Sequence, residues 1–497
     1  MKKPSPVPAE RVRAGNAAPI RTDGAYILYW MVAARRTTWS FALQRAVEHA
    51  ATLGRPLLVL EALRCDHRWA SDRLHAFVLQ GMADNAKKLA ARGVAYHAYV
   101  EPSPGAGKGL LDALARDACV VVTDDFPAFF LPRMIDAASR RLPVKLEAVD
   151  SNGILPMRVA PRVFPTAHAF RRFLQKTLAP HFDALPEEDP LRGRRLATAA
   201  IPADVTARWP AANRALLRSD ATAISHLPID HSVPPVAVRG GEAAARAALH
   251  SFLDDRLPRY AEARNDIEAD ASSGLSPYLH FGHLSSHEIF RRLAERERWT
   301  PASIAESTNG AREGWWGMSR SAEAFLDQLV TWRELGFNFC AHRDDYDRFE
   351  ALPEWARRTL GEHAADPRSP AYDAAALEAA ATHDPLWNAA QTQLVREGRI
   401  HNYLRMLWGK KILEWTHSPE EALEVMIALN DKYAVDGRDP NSYSGISWVL
   451  GRYDRPWGPR RPIFGTVRYM SSESTARKMS VKGYLARYAP AGAMRSR

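Results

Sequence analysis

The chain has 497 residues, of which 46% are hydrophobic and 25% charged, with three cysteines and a formal net charge of +10. This length predicts two to four domains at about 100–200 residues each, and the hydrophobic fraction excludes global disorder. The scattered cysteines form neither a disulfide framework nor a metal-binding spacing, so no metal site is predicted. The basic N-terminus lacks a signal peptide's apolar segment, and no apolar run approaches the ~18 residues of a membrane span. We therefore expect a cytoplasmic protein with no membrane partner.

The first 150 residues alternate between strand-like and helix-like segments. Apolar runs predict strands at 25–32, 56–60, 95–100, 119–123 and 144–150, with helices at 38–53, 71–93, 109–118 and 132–141. This alternation predicts a doubly wound parallel sheet, a Rossmann-like α/β fold. The nucleotide-binding fingerprints fail, because GxGxxG is absent after the first strand and GAGKG at 105–109 lacks two positions of a P-loop.

Composition predicts three regions along the chain. Residues 20–195 form the α/β domain, and residues 196–240, rich in Ala, Pro and Arg without sustained periodicity, are expected to be an interdomain linker. Residues 241–490 show helical spacing at 242–257, 286–298, 322–340, 384–396, 402–414 and 419–429. The second domain is therefore predicted to be all-helical.

Two features of the second half indicate chemistry beyond packing. The segment DRPWGPRRPIFGTVRYM interleaves arginines with aromatic residues, a combination that grips phosphate while stacking on unpaired bases, and the net charge favours a nucleic-acid partner. Nine of the 14 tryptophans follow residue 310, and Trp408 and Trp415 are two helical turns apart on one face. The structural alternative for the basic segment is a solvated loop, and the alternative for the tryptophans is an aromatic core.

Several of these segments together resemble a known family. The chain contains, in order, SPYLHFGHLS, FLDQLVTWRELGFNFC, HDPLWNAAQTQLV, GRIHNYLRMLWGKKILEW, LNDKYAVDGRDPNSY and DRPWGPRRPIFGTVRYM. They resemble the class II cyclobutane-pyrimidine-dimer photolyases of the photolyase/cryptochrome superfamily. The N-terminal half matches less tightly, through YILYWM, VVVTDDFP and VDSNGILP.

The resemblance implies that the helical domain binds one FAD. The residues that match the family's cofactor contacts are Ser273, Ser276, Arg405, Asn430, Asp436 and Asp439. Among them, the two serines would hold the phosphates, and Arg405 and Asp436 match an ion pair beside the flavin. Asn430 matches the asparagine that faces the reactive nitrogen of the central ring, although sequence alone would make it a helix C-cap.

The resemblance also implies a path for electrons and a pocket for damaged DNA. Trp408, Trp387 and Trp415 match the family's electron-transfer chain, in that order from the flavin to the surface. Reduced FAD excited by light would give an electron to a dimer flipped out of double-stranded DNA, and Gln328 matches the residue that hydrogen-bonds the dimer. The residues that match the lesion pocket and the DNA contacts are Trp332, Trp448, Met406, Arg455 and Arg468.

Three positions depart from the family pattern. Gln328 stands where a glutamate is usual, Asn402 replaces a glycine, and Gly274 replaces an asparagine. The stretch after Tyr469 also diverges. These changes bear on repair efficiency and lesion type more than on flavin binding.

Other interpretations stay open at this point. A cryptochrome-like blue-light receptor would keep the flavin and the tryptophans, a photolyase-like protein could accept another lesion, and a flavin-free protein could bind DNA structurally. The α/β domain could hold a second, antenna chromophore (a deazaflavin, a folate or another flavin) or none. The family suggests a monomer.

Overall fold

The apolar runs of the first 150 residues form one six-stranded sheet. The structure, a computed structural model, describes residues 6–489. The strands are β1 (Val12–Ala14), β2 (Tyr26–Met31), β3 (Leu57–Leu63), β4 (Ala95–Val100), β5 (Ala118–Asp124) and β6 (Leu146–Val149). Their order is β1-β6-β5-β2-β3-β4, and every pair is parallel except β1 with β6. The predicted doubly wound α/β fold is confirmed.

The central strand explains why the prediction from apolar runs succeeds. All six residues of β2 are buried, because β2 lies inside the sheet and both of its faces are covered. At the carboxyl end of β2, the Asp124 carboxylate accepts backbone N–H groups from Val32, Ala33 and Ala34 at 2.8–3.0 Å. A carboxylate therefore occupies the place where nucleotide-binding sheets of this topology present N–H groups to a phosphate.

Helices make up most of the remaining structure. In the first half of the chain they are α1 (Phe41–Leu53), α2 (Asp72–Ala91), α3 (Leu110–Arg116), α4 (Leu131–Ser139), α5 (Ala167–Thr177), α6 (Ala203–Arg208), α7 (Arg214–Leu217), α8 (Ala221–Ile224) and α9 (Glu242–Ser251). They continue as α10 (Tyr260–Ala263), α11 (Ser276–His280), α12 (Ser286–Arg296), α13 (Arg320–Leu326), α14 (Arg333–His342), α15 (Glu354–Glu362) and α16 (Ala374–Glu378). The last six are α17 (Pro385–Glu397), α18 (Asn402–Trp415), α19 (Pro419–Tyr433), α20 (Pro440–Val449), α21 (Ser472–Lys478) and α22 (Lys482–Tyr488). Between residues 6 and 489, no helix is both long and apolar enough to cross a membrane.

The chain divides into two compact units that are not contiguous in sequence. The sheet unit comprises the described residues up to Pro161 with Thr177–His250 and Leu275–Pro301. The helical unit comprises Arg162–Lys176, Ser251–Gly274 and the described residues from Ala302 onward. The predicted boundaries of 20–195, 196–240 and 241–490 differ from this division, because short segments leave one unit and return to it.

The segment 196–240, expected to be a linker, folds onto the sheet unit. It forms α6, α7 and α8, and Ile224 and Leu227 are buried in a cluster with Leu79, Met82 and Val100. The backbone N–H of Ala212 also donates to the Ala98 carbonyl at 2.7 Å. Because the helices have only four to six residues, they leave no sustained periodicity in the sequence.

Small residues allow the helices of the helical unit to pack closely. A Cβ at Gly409 in α18 would lie 2.7 Å from Val449 and 2.9 Å from Met426. A Cβ at Gly336 in α14 would lie 3.0 Å from the backbone of Asn441, at the start of α20. Glycine at these positions therefore lets α18 and α14 approach their neighbours.

Candidate functional site

Three buried tryptophans are linked through α17 and α18. The Asp384 side chain caps α17 by accepting the backbone N–H groups of Leu386 and Trp387, each at 3.0 Å. The indole Nε1–H of Trp387 donates to the backbone carbonyl of Trp408 at 2.9 Å. The ring of Trp387 also meets that of Trp415 edge-on, with centroids 5.5 Å apart. Trp387 therefore connects the two tryptophans that the helical spacing places on one face of α18.

Polar side chains surround the last tryptophan of this series. Tyr372 and His383 each contact the Trp415 ring with centroids 5.4 Å apart, and the Tyr372 hydroxyl lies 2.9 Å from His383 Nδ1. The ammonium group of Lys411 lies 5.4 Å from the centre of the same ring. Trp415 itself is buried, while Tyr372 is half-exposed. The tryptophan series thus ends beside a residue that reaches the surface.

A polar network lies at the carboxyl end of α19, in the same unit. Arg405 donates to the Asn430 side-chain oxygen Oδ1 at 3.3 Å and pairs with the Asp436 carboxylate at 3.5 Å. The Asn430 amide nitrogen in turn donates to Asp431 at 3.1 Å. Arg405 and Asp436 are half-buried and Asn430 is buried, so the network presents a guanidinium, an amide and a carboxylate close together.

Asp431 is the buried anchor of this network. Its carboxylate accepts the Arg438 backbone N–H at 2.8 Å and the Tyr443 hydroxyl at 3.1 Å. Burial raises the pKa of Asp431, and the nearby Arg438 guanidinium partly offsets that rise. Arg438 is itself buried and donates to the backbone carbonyls of Asp431, Ala434 and Val435. The turn after α19 is therefore fixed by its own backbone and by two opposite charges.

An arginine with an unused donor lies beside the predicted phosphate-binding segment. Arg256 Nε is buried and has no hydrogen-bond partner among residues 6–489, while its Nη1 donates to the Ser272 carbonyl at 3.2 Å. Ser273 follows in the helical unit, whereas Ser276 is an exposed residue that begins α11 in the sheet unit. Gly274 has φ +68°, a conformation that asparagine also tolerates, so the backbone accommodates this departure from the family pattern.

These donors and acceptors fit FAD. The Arg256 Nε–H can donate to a phosphate oxygen. The guanidinium of Arg405 and the carboxylate of Asp436 match the carbonyl and N–H groups of a flavin's pyrimidine edge, and the amide of Asn430 can donate to or accept from the nitrogen of the central ring. Asp439, also predicted to contact the cofactor, caps α20 by accepting the Asn441 backbone N–H at 2.8 Å. The assignment of the individual contacts stays a prediction.

Two tryptophans predicted to wall the lesion pocket stack on each other. The rings of Trp332 and Trp448 have centroids 4.4 Å apart and planes 16° apart, and both are half-buried. Tyr453 meets Trp332 edge-on at 6.3 Å. The pair therefore forms one continuous aromatic surface rather than two walls with a base between them. Met406, also expected in this pocket, is half-buried on α18.

Gln328 lies one turn before Trp332 in an irregular part of the helix. Residues Asp327–Trp332 form a π-helical turn between α13 and α14, a feature frequent at functional sites. Gln328 is half-buried, and its side chain has no hydrogen-bond partner among residues 6–489. Its neighbour Asp327 is buried and paired with Arg171 at 2.7 Å. The Asp327 carboxylate is therefore already engaged by a charge of opposite sign.

The basic segment after α20 exposes one large aromatic ring. Trp457 is 40% exposed and lies close to two cations, with the Arg455 and Arg468 guanidinium carbons 5.2 and 5.3 Å from its centroid. Its Nε1–H donates to Asp454 at 3.0 Å. The two arginines predicted to contact DNA are therefore brought together by a residue that was not predicted.

Solved structures share this combination of a parallel sheet unit and a helical unit. The chain aligns with a class III photolyase from Agrobacterium tumefaciens (TM-score 0.68, 18% identity, 94% of this chain and 86% of that one). It also aligns with a cryptochrome from Synechocystis sp. PCC6803 (TM-score 0.67, 15% identity, 93% and 88%). These likenesses show that the chain has the photolyase/cryptochrome fold.

Curated relatives identify the family. The chain is 35% identical to a deoxyribodipyrimidine photo-lyase of Methanothermobacter thermautotrophicus, over 96% of this chain and 98% of that protein. It is also 35% identical to one from Oryza sativa subsp. japonica (93% and 87%) and 34% identical to one from Potorous tridactylus (93% and 81%). No family model matches the chain. The chain belongs to the photolyase/cryptochrome superfamily.

The sequence-based prediction missed several residues that contact the site. Gln391 accepts the Trp408 indole N–H at 2.9 Å, and its position four residues after Trp387 would have placed it on the same face of α17. Trp457 lies inside the basic segment that was already singled out. Asp431 and Tyr372 gave no separate signal, because their roles depend on side chains that meet only after folding.

Proposed function

We propose that the protein is a light-driven lyase of the class II photolyase type, which binds FAD in its helical unit and splits cyclobutane pyrimidine dimers in DNA. The observation that carries this proposal is the buried connection of Trp408, Trp387 and Trp415 in the unit that also holds the Arg405–Asn430–Asp436 network. The relatives named deoxyribodipyrimidine photo-lyase, similar over nearly their whole length, support the same reaction.

FAD, when bound, would supply light absorption and the single electron that splits the dimer. The polar network would hold the flavin: Arg405 can donate to a carbonyl group of its polar edge, Asp436 can accept an N–H there, and Asn430 would face the reactive nitrogen of the central ring. The three tryptophans would deliver electrons from the surface to keep the cofactor reduced. Indole suits this role because it is, with phenol, among the most easily oxidised side chains.

The lesion would be held by aromatic and basic surfaces. A dimer stacks poorly in duplex DNA, so extruding it costs only a few kcal/mol. The stacked pair Trp332–Trp448 offers a flat surface for the extruded bases. Arg455 and Arg468 can bind backbone phosphates while Trp457 stacks on the bases left unpaired.

An illuminated repair assay tests the proposal. FAD-loaded, chemically reduced protein is mixed with an oligonucleotide that contains one cyclobutane dimer, and the intact dimer is counted after blue light and after darkness. We expect repair only in the light. Protein that binds flavin but leaves the dimer intact in both conditions contradicts the lyase function.

The tryptophan relay is tested separately by Trp408→Phe. We expect normal FAD content, because the ring is replaced by another apolar ring, but photoreduction of oxidised FAD slowed by at least about tenfold, because the first donor is lost. Photoreduction is followed by absorbance with a thiol reductant present. Trp355→Phe is the matched control, since Trp355 lies on α15 and is not part of the relay. Equal rates in wild type and Trp408→Phe would place the electron path elsewhere.

The second candidate is a cryptochrome-like photoreceptor, favoured by the likeness to the Synechocystis cryptochrome. That function needs the flavin and the tryptophans but no lesion surface. The exposed Trp457 close to two arginines favours the lyase. Photoreduction without light-dependent repair of any pyrimidine dimer would favour the photoreceptor.

Three further features stay proposals. The protein would act on double-stranded DNA through its helical unit. It would do so as a monomer, and size-exclusion chromatography with light scattering measures the molar mass that tests this. A second chromophore in the sheet unit, a deazaflavin, a folate or another flavin, would show as absorbance in excess of the FAD spectrum. Purified protein without flavin absorbance would favour the flavin-free DNA-binding alternative.

A further inference from the structure

The two inner tryptophans both donate their indole N–H groups to buried amide oxygens. Trp408 Nε1 donates to the Gln391 side-chain oxygen at 2.9 Å, and Trp387 Nε1 donates to the Trp408 backbone oxygen at 2.9 Å. All three residues are at most 2% exposed. Amide oxygens accept hydrogen bonds well but are very weak bases. Within residues 6–489, each inner indole N–H therefore donates to an oxygen that accepts the hydrogen bond but is too weak a base to take the proton.

The orientation of the Gln391 amide is fixed by its two partners. Its nitrogen donates to the Glu378 backbone carbonyl at 3.3 Å, while its oxygen faces the Trp408 N–H. An indole N–H can only donate and a backbone carbonyl can only accept. A flipped amide would place two donors against each other at one end and two acceptors at the other. The Gln391 oxygen must therefore face Trp408.

We infer that Gln391 is a positioning residue of the electron relay, which stabilises the positive charge on oxidised Trp408 and keeps the indole proton in place. The inference rests on the proposed function. With FAD bound, Trp408 would supply an electron to the photoexcited oxidised cofactor, and Trp387 would then return an electron to Trp408. The proton stays on Trp408 Nε1 throughout, and no covalent bond forms or breaks. Trp387 is refilled from Trp415 in the same way.

Retention of the proton is what lets the charge move outward. An oxidised indole that keeps its proton remains a radical cation, a strong oxidant that can take an electron from the next tryptophan. An indole that loses its proton becomes a neutral radical, and transfer from the next tryptophan then requires the proton to return. An amide at position 391 does not remove the indole proton, whereas a carboxylate would act as a base and accept it.

Two variants of Gln391 separate stabilisation from proton retention. Gln391→Leu removes the acceptor, so the radical cation loses a charge-assisted hydrogen bond and the yield of the Trp408 radical cation should fall roughly tenfold. Gln391→Glu keeps the shape but, at alkaline pH, supplies a base. In a Trp415→Phe background, which stops the charge at the inner pair, it should convert the radical cation into the neutral radical.

The control places the same substitution elsewhere on α17. Gln393 is also buried, but its oxygen accepts from the Tyr484 hydroxyl at 2.8 Å and the His401 backbone N–H at 3.0 Å, with no indole involved. Gln393→Glu should therefore leave the radical spectrum unchanged. FAD absorbance and near-UV circular dichroism show whether each variant has folded and bound its cofactor.

Transient absorption after a laser flash reads the outcome, since the radical cation and the neutral radical have different visible bands. A Gln391→Leu yield equal to that of wild type overturns the inference, whatever the Glu variant shows. So does a neutral radical at the inner pair in the Trp415→Phe protein with Gln391 intact. If wild type forms no indole radical at all, the relay of the proposed function fails instead.

Discussion

Gln328 is, of the three departures predicted from the family resemblance, the one from which we expect the largest effect on repair. Its side chain is half-buried, has no hydrogen-bond partner in the described part of the chain, and lies one turn from Trp332. We expect Gln328→Glu to raise the number of dimers split per absorbed photon by about two- to fivefold. The reason is that a carboxyl group forms a stronger hydrogen bond than an amide to a carbonyl that gains negative charge.

A second variant, which keeps about the volume of the glutamine side chain, serves as the control for Gln328→Glu. Gln328→Leu removes both donor and acceptor and should give fewer repaired dimers per photon than wild type. Unchanged or lower repair in Gln328→Glu, at equal FAD content, would mean that position 328 does not contact the dimer.

Lys410 is a buried lysine whose charge the relay does not use. It is 1% exposed, donates to the Val449 carbonyl, and burial lowers its pKa to about 7. The unfolded chain keeps this proton up to about pH 10.5, so between about pH 7 and pH 10.5 the unfolded state binds more protons. The free energy of unfolding should therefore rise with pH across this window.

The variant Lys410→Met tests that contribution. We expect the difference in unfolding free energy between about pH 7 and pH 9 to be smaller in Lys410→Met than in wild type, by at most about 2–3 kcal/mol. Urea titrations at both pH values measure it. Lys411→Met is the control, because Lys411 pairs with Glu414 at 2.9 Å and its pKa is raised. If the free energy of unfolding depends on pH equally in wild type and Lys410→Met, the lowered pKa of Lys410 is contradicted.

At the level of secondary-structure elements, the close approach of α14 and α20 positions the aromatic pair. A Cβ at Gly336 would lie 3.0 Å from the Asn441 backbone, so any larger side chain must separate the two helices. Gly336→Leu should lower the free energy of unfolding by about 1–3 kcal/mol. It should also weaken the near-UV circular dichroism of the stacked Trp332 and Trp448.

The matched control for this change is Gly361→Leu on α15, where a Cβ would meet no atom within 4 Å. We expect it to keep wild-type stability or to raise it by up to about 1 kcal/mol, because leucine favours the helix more than glycine does. Equal stability of the two leucine variants would show that the contact between α14 and α20 is not tight.

The sequence allowed long apolar or periodic elements to be predicted better than short ones. The central strands and α17–α19 were predicted within a few residues because burial imposes a regular pattern on them. Strand β1 has three residues and pairs antiparallel at the sheet edge, so no apolar run marks it. The π-helical turn at Asp327–Trp332 also escaped prediction, because it continues the helical spacing on both sides.

In the candidate site, the sequence predicted which residues take part better than it predicted their contacts. Arg405 and Asp436 were paired by resemblance, and the structure brings them to 3.5 Å. The stacking of Trp332 on Trp448 could not be predicted, because it depends on how closely α14 and α20 approach. Gln391 could have been found from its spacing to Trp387, but only the folded structure shows which indole it contacts.

At the scale of the whole molecule, the formal net charge of +10 does not by itself locate a DNA surface. Long-range attraction to a polyanion depends on total charge, whereas phosphate contacts depend on where cations are exposed. The segment that holds Arg455, Trp457 and Arg468 supplies two exposed cations beside an exposed ring. Salt dependence separates these two contributions.

Arg468→Gln should therefore change the salt dependence of DNA binding and not only the affinity. Each phosphate contact contributes about 0.9 to the slope of log K against log salt, so loss of one contact should lower the magnitude of that slope by about 1. Arg116→Gln removes the same unit of charge from an exposed pair with Asp204 in the sheet unit and should leave the slope unchanged. Fluorescence anisotropy of a dimer-containing duplex over a salt series measures both. Identical slopes in the two variants would show that Arg468 acts through overall charge alone, and the DNA contact would then have to be sought elsewhere on the helical unit.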